Sequence, residues 1–151
     1  MAPASPLAPV QRAIYTVLAN DATLVAQLAR APNGGPGISD QPQPNAAFPR
    51  VEIGGFSALP MNCMGPRTGA KWGWQVSGQV KALSTAPGEL EGQTILAHVV
   101  RLLHFPATML AVGGYMDVEC QVTLEPSYPE VVNNVIVRHF PAIVRVELHE
   151  S

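Results

Sequence analysis

Trp72-Gly73-Trp74-Gln75-Val76-Ser77-Gly78-Gln79-Val80-Lys81-Ala82-Leu83 is the stretch that decides the fold. Its even-numbered residues are apolar or small, and the odd-numbered ones from Gln75 to Lys81 are polar. Successive side chains on a strand point to opposite faces, so this pattern predicts an antiparallel strand half covered by a core. Met116 to Glu125 repeats it, with Met116, Val118, Cys120, Val122 and Leu124 against Asp117, Glu119, Gln121, Thr123 and Glu125. Ala142 to His149 does so again, setting Val144, Val146 and Leu148 against Arg145, Glu147 and His149. Arg50 to Gly55, after Phe48-Pro49, is a shorter strand carrying Val51 and Ile53.

Two amphipathic helices accompany these strands. Pro9 precedes Val10, Ile14, Val17 and Leu18, spaced three and four apart, and Pro87-Gly88 leads into Leu90, Ile95, Leu96, Val99, Val100 and Leu103 before Pro106. Asn20 and Asp21 end the first helix and supply a cap for a short segment carrying Leu24, Val25 and Leu28. Gly113-Gly114 suits a two-residue turn, so Ala107 to Val112 and Tyr115 to Glu125 are expected to form a β-hairpin. The expected class is α+β: a mainly antiparallel sheet of about four or five strands with the two main helices packed on one face.

Residues 1–8 read as a flexible N-terminal tail, and 9–151 as a single domain with long loops at 31–47, 56–71 and 126–134; only Ile38 suggests a brief extended piece in the first loop. A chain of 151 residues can hold a core without staples. Cys63 and Cys120 have no CxxC spacing, and Cys120 falls on the apolar side of its strand as a small core residue. Charged residues make up 13%, against roughly 25% in an average domain, and the net charge is −2. That composition lacks a basic footprint for nucleic acid and fits a subunit that spends its working life against other protein. The N-terminus carries no signal-peptide pattern, and the apolar runs around His98 and Arg101 are too short to cross a bilayer.

No catalytic, metal-binding or cofactor-binding constellation emerges, so the expectation is a protein that is not an enzyme. His98 and His104 are six apart on their helix, which does not let two imidazoles share a metal; His139 and His149 stand alone. Asp117, Glu119 and Glu125 read as a solvated face, because no apolar pocket is evident to separate their acidities. Gly34-Gly35-Pro36-Gly37 lacks the Lys-Ser/Thr of a phosphate loop, and no serine sits in a G-x-S-x-G turn. Trp74 is expected in the core, whereas Trp72 borders a Pro/Gly loop and is a candidate contact with another subunit or a tube, together with Phe56, Met61, Met64 and Arg67.

The order of these features carries a resemblance that spans nearly the whole chain from about Pro9. A helix ending Leu18-Ala19-Asn20-Asp21 leads to Ala47-Phe48-Pro49-Arg50-Val51-Glu52-Ile53-Gly54. The Trp74 to Leu83 strand, the second helix, the Val112-Gly113-Gly114 turn and the Val144-Arg145-Val146-Glu147-Leu148 strand follow. This resembles the tail-terminator, or tail-completion, proteins of long-tailed bacteriophages and gene-transfer particles. The resemblance implies a hexameric ring that caps the tail tube, ends its polymerisation and joins it to head-completion or neck proteins. It implies a virion location in the tail neck after assembly in the host cytoplasm, with no membrane and no cofactor. DNA would pass through the lumen without specific binding, so a polar or acidic lining is expected. The lumen candidates are Asp117, Glu119, Gln121, Thr123 and Glu125, with Gln75, Ser77 and Gln79 on what is expected to be the adjoining strand. Two alternatives stay open at this point: another neck ring component, such as a head-tail connector or stopper, and a small-molecule-binding domain or enzyme using the long loops.

Overall fold

The computed structural model describes residues 5–40, 45–61, 73–105 and 110–150; the side chain of Asp117 falls outside this set. The elements are α1 (Leu7–Ala19), α2 (Ala22–Gln27), β1 (Ile38–Ser39), β2 (Arg50–Met61), β3 (Gly73–Ser84), α3 (Leu90–Leu103), β4 (Tyr115–Leu124), β5 (Tyr128–Val132) and β6 (Val135–Glu150). They form an α+β fold. Among the described residues the sheet has six strands, in the order β1-β2-β3-β6-β4 with β5 also on β6, and every pairing is antiparallel except the short β1–β2 contact.

The predicted alternation of β3 holds. Val76, Val80 and Ala82 are fully buried under the helices together with Ala142, Val144, Val146 and Leu148 of β6. From α1 come Val10, Ile14 and Leu18, and from α3 Ile95, Val99 and Leu103. Each Val, Leu or Ile among them contributes roughly 1.5–3 kcal/mol by leaving water. Two glycines set how closely the layers approach. A Cβ on Gly92 would collide with the ring of Phe140, so α3 lies directly on that ring; a Cβ on Gly78 would collide with Phe56. Leu90, counted with the apolar stripe of α3 from sequence, is instead 80% exposed at its first position.

α2 is held at its start by Asp21, whose carboxylate accepts a hydrogen bond from Leu24 N at 2.8 Å and lies 3.0 Å from Nε2 of His98 on α3. The Leu24 N–H, followed by His98, holds this carboxyl below its ordinary value of 3.8. A group shifted downward on folding stabilises the fold above its unfolded pKa, and loses that contribution as pH falls through the folded value. Asp21→Ala is expected to cost about 1 kcal/mol at neutral pH. Chemical denaturation at a series of pH values should show the difference from wild type shrinking below about pH 4.

Several sequence expectations are corrected. Residues 56–61, assigned to the 56–71 loop, continue β2 and pair with Gly73 to Ser77; 62–71 lie outside the described residues. A register shift between Gly54 and Ser57 absorbs the irregularity, and Pro60 is tolerated because among the described residues β2 has no neighbour on that side beyond the two-residue β1. The expected 107–112 arm is also absent where it is described: Leu110 and Val112 are buried irregular chain. The outer edge of β4 is already taken by the end of α3, with Phe105 N donating to Cys120 O at 2.9 Å and Val122 N to His104 Nδ1 at 3.0 Å. α1 starts at Leu7, within the segment read as a 1–8 tail.

The true partner of β4 is β6, reached through β5. Residues 126–134, read as a loop, contain β5 and the Asn133-Asn134 turn, whose φ angles of 50° and 63° are those a two-residue hairpin turn requires. β4, β5 and β6 are thus one long hairpin folded back on itself. Pro141 sits inside β6, where a missing N–H is normally excluded. Its carbonyl accepts from Glu125 N at 3.1 Å. In extended chain the N and O of one residue point to the same side, so its ring nitrogen faces the break between β4 and β5 and no ladder bond to β3 is lost.

Candidate assembly surfaces

The sheet face opposite the helices carries the polar residues of every long strand. Across it run register rows: Leu59, Gln75, Glu147 and Glu119; Ser57, Ser77, Arg145 and Gln121; Gly54, Gln79, Ile143 and Thr123. Six of the eight lumen candidates (Gln75, Ser77, Gln79, Glu119, Gln121 and Thr123) therefore share one continuous surface. The expectation that β3 adjoins β4 is corrected, because β6 lies between them and adds Ile143, Arg145 and Glu147. That interleaving strand was not recognised as part of the surface from sequence. Glu125 lies just past the end of β4, beside Pro141. Asp117 stands where the β4–β6 register shifts, and the shift also turns Met116 out, leaving it 41% exposed, while Tyr115 packs on the core.

The charges of this face are unevenly matched. Glu52 is held by Arg50 at 3.2 Å and Lys81 at 3.7 Å, whereas Glu119 pairs directly across from Glu147, which accepts a 3.4 Å hydrogen bond from Gln75 Nε2. Like charges placed opposite one another destabilise a sheet slightly.

Of the contact candidates, Phe56 is half buried over Gly78 and Met61 ends β2 opposite Gly73; Trp72, Met64 and Arg67 lie outside the described residues. A surface the sequence reading missed stands out instead. β3 pairs with β6 only as far as Ser84 and Arg138, so β5 and the first residues of β6 project as a two-stranded arm. Val131 and Ile136 are 70% and 53% exposed, Val132 and Val135 43% and 47%. The arm is braced at its root, where His139 Nε2 meets Glu130 Oε2 at 2.6 Å and the His139 ring stacks on Tyr128 with centroids 4.6 Å apart. Ser127 Oγ donates to Glu89 Oε1 at 2.8 Å and ties the β4–β5 corner to the start of α3. Asn-Asn between Val-Val and Val-Ile was the available signal.

An open cleft of about 500 Å³ lies at the opposite edge of the sheet, between α1 and β1. Tyr15, Ile38 and Ile53 line it together with Gln11, Arg12 and Asp40. Among the described residues no group of three or more His, Cys, Asp or Glu is placed to hold a metal ion, and no helix is long and apolar enough to cross a membrane. Burial pushes the Cys120 thiol up to about 12. Iodoacetamide at pH 8 should accordingly leave the Cys120 peptide unmodified in the native protein and label it after denaturation, as peptide mass spectrometry would read.

No family model matches the chain, and no curated protein matches it. Among solved structures, a chain described as "Virion of native gene transfer agent (GTA) particle" is similar in fold, with a TM-score of 0.68 at 17% identity. The similarity covers 97% of this chain and 99% of that one.

Proposed function

We propose that this chain is a structural subunit of a phage-like particle, of the tail-terminator kind: a ring, hexameric by resemblance, that caps the tail tube and joins it to the neck. The observation that carries the reading is the end-to-end likeness to a chain of a gene transfer agent virion, in which neither chain leaves an unmatched domain. The order of sequence features points the same way, and so does the low charge, since a permanent ring contact buries well over ~1,000 Å².

The polar sheet face is the lumen side of that ring. A channel for DNA works best when it does not hold phosphate, and Glu119 and Glu147, facing each other across β4 and β6 beside Arg145, repel it. The exposed arm and the helical layer are left for protein neighbours. Affinity purification from cells making particles tests the assignment. Recovery on tail tubes lacking heads supports a terminator; recovery on heads lacking tails moves the chain to a stopper or connector role, and recovery on neither removes the reading.

A further inference from the structure

The arm has a feature that a simple brace does not need: its apolar residues lie on both faces. In register, Val132 and Val135 pair across one face and Val131 and Ile136 across the other. A surface meant to lie flat on a neighbour is apolar on one side only, whereas an arm apolar on both sides is built to be enclosed. An isolated two-stranded hairpin is marginal in water, so the arm's own side chains do not explain its length.

The same chain carries an open cleft at its other edge. The α1–β1 cleft is lined by Tyr15, which is 38% exposed, by the covered edges of Ile38 and Ile53, and by the polar Gln11, Arg12 and Asp40. Its two charges cancel, and the arm from Val131 to Val137 carries none, ending in the two amides of Asn133 and Asn134. At about 500 Å³ the open cleft has room for the few side chains at the tip of such an arm. The arm cannot fill its own cleft. Four strand spacings separate β1 from β5, about 19 Å across the sheet.

Resting on the ring reading above, we infer that the β5–β6 arm of one copy seats in the α1–β1 cleft of a second copy, and that this contact repeats around the ring. Donor and acceptor are different surfaces at opposite edges, which makes the contact heterologous, the kind that closes into a ring by rotation. Both belong to the same end of the sheet, for Arg50 of β2 shares a register row with Leu83, His139 and Tyr128. Each copy then gives one arm and receives one, so the contact area counts twice per subunit.

Sedimentation and cross-linking of the full-length chain test this. Val132→Asp should weaken self-association at least tenfold while leaving the melting temperature unchanged at dilutions where wild type is a single copy, because the residue is 43% exposed there. In a Cys63→Ser background, Val132→Cys with Gln11→Cys should give a ladder of covalent multimers on oxidation with diamide. Val132→Cys with Gln79→Cys, on the polar sheet face, should not. Rings that form normally in Val132→Asp, with no ladder from the Val132/Gln11 pair, overturn the arm placement and leave the ring reading standing. Val132→Asp rings that form but no longer dock on tail tubes would put the arm on the tube and overturn the inference in that way. A wild-type chain that stays a monomer even when offered tube ends overturns both.

Discussion

Phe140→Ala is expected to be among the most damaging single truncations in the molecule, lowering stability by about 3–5 kcal/mol. Phe140 is 2% exposed and lies between the sheet and α3, with its ring against the missing side chain of Gly92. Removing the ring leaves a void that a helix already at closest approach cannot fill. The same geometry makes Gly92→Ala destabilising, although alanine favours a helix interior by about 1 kcal/mol over glycine. The extra methyl must displace the ring or push α3 away, at a typical cost of ~1–3 kcal/mol. Combining the changes should recover part of the loss, since the new methyl then occupies space the ring has vacated. Urea denaturation of the four proteins in the cycle reads this directly; strictly additive losses would mean the two residues do not share that space.

A second large effect separates the two faces of the sheet at adjacent positions. Val144 is fully buried on the helix side, and Ile143, the next residue of β6, is half buried on the polar face between Gln79 and Thr123. Val144→Asp places an unpaired carboxylate in the core and is expected to cost more than ~4 kcal/mol, enough to leave the chain unfolded or insoluble. Ile143→Asp puts the same charge on the open face and should stay within ~1 kcal/mol of wild type. Circular dichroism melts of the two variants, matched in concentration, distinguish them. Equal losses would mean that something covers the polar face in the isolated subunit.

Much of this fold was legible because β3, β4 and β6 alternate strictly, and a period of two leaves little choice of face. The helices were equally plain from their apolar stripes. The failures have a common physical origin in strand pairing, which a local pattern does not encode. Gly113-Gly114 looked like the turn that pairs β4 with what precedes it, yet the end of α3 already satisfies the outer edge of β4 through His104 and Phe105. The true turn was Asn133-Asn134, passed over because Pro126 and Pro129 make the segment read as loop. Phe56 to Met61 reads as loop because Pro60 leads into Gly65, Pro66 and Gly69, but an edge strand accepts a proline.

The candidate surface was legible in the same degree. Alternation placed Gln75, Ser77, Gln79, Glu119, Gln121 and Thr123 on one face correctly, while the interleaving of β6 was invisible to it. Met116 shows the limit most sharply. Its parity put it in the core until the register shift after it turned it to the outside. The arm escaped notice because exposed apolar residues on a two-stranded extension have no periodic signature of their own.

These surfaces acquire a single meaning only if copies of the chain surround a common axis. An electron-microscopy reconstruction of the particle that contains this chain is the most direct measurement. A closed ring of copies on the last ring of the tail tube, with the Gln79 and Gln121 face toward the channel and the helices outward, is the predicted result. Density showing the chain as single copies away from the tail axis, or a ring with its helices lining the channel, would contradict it.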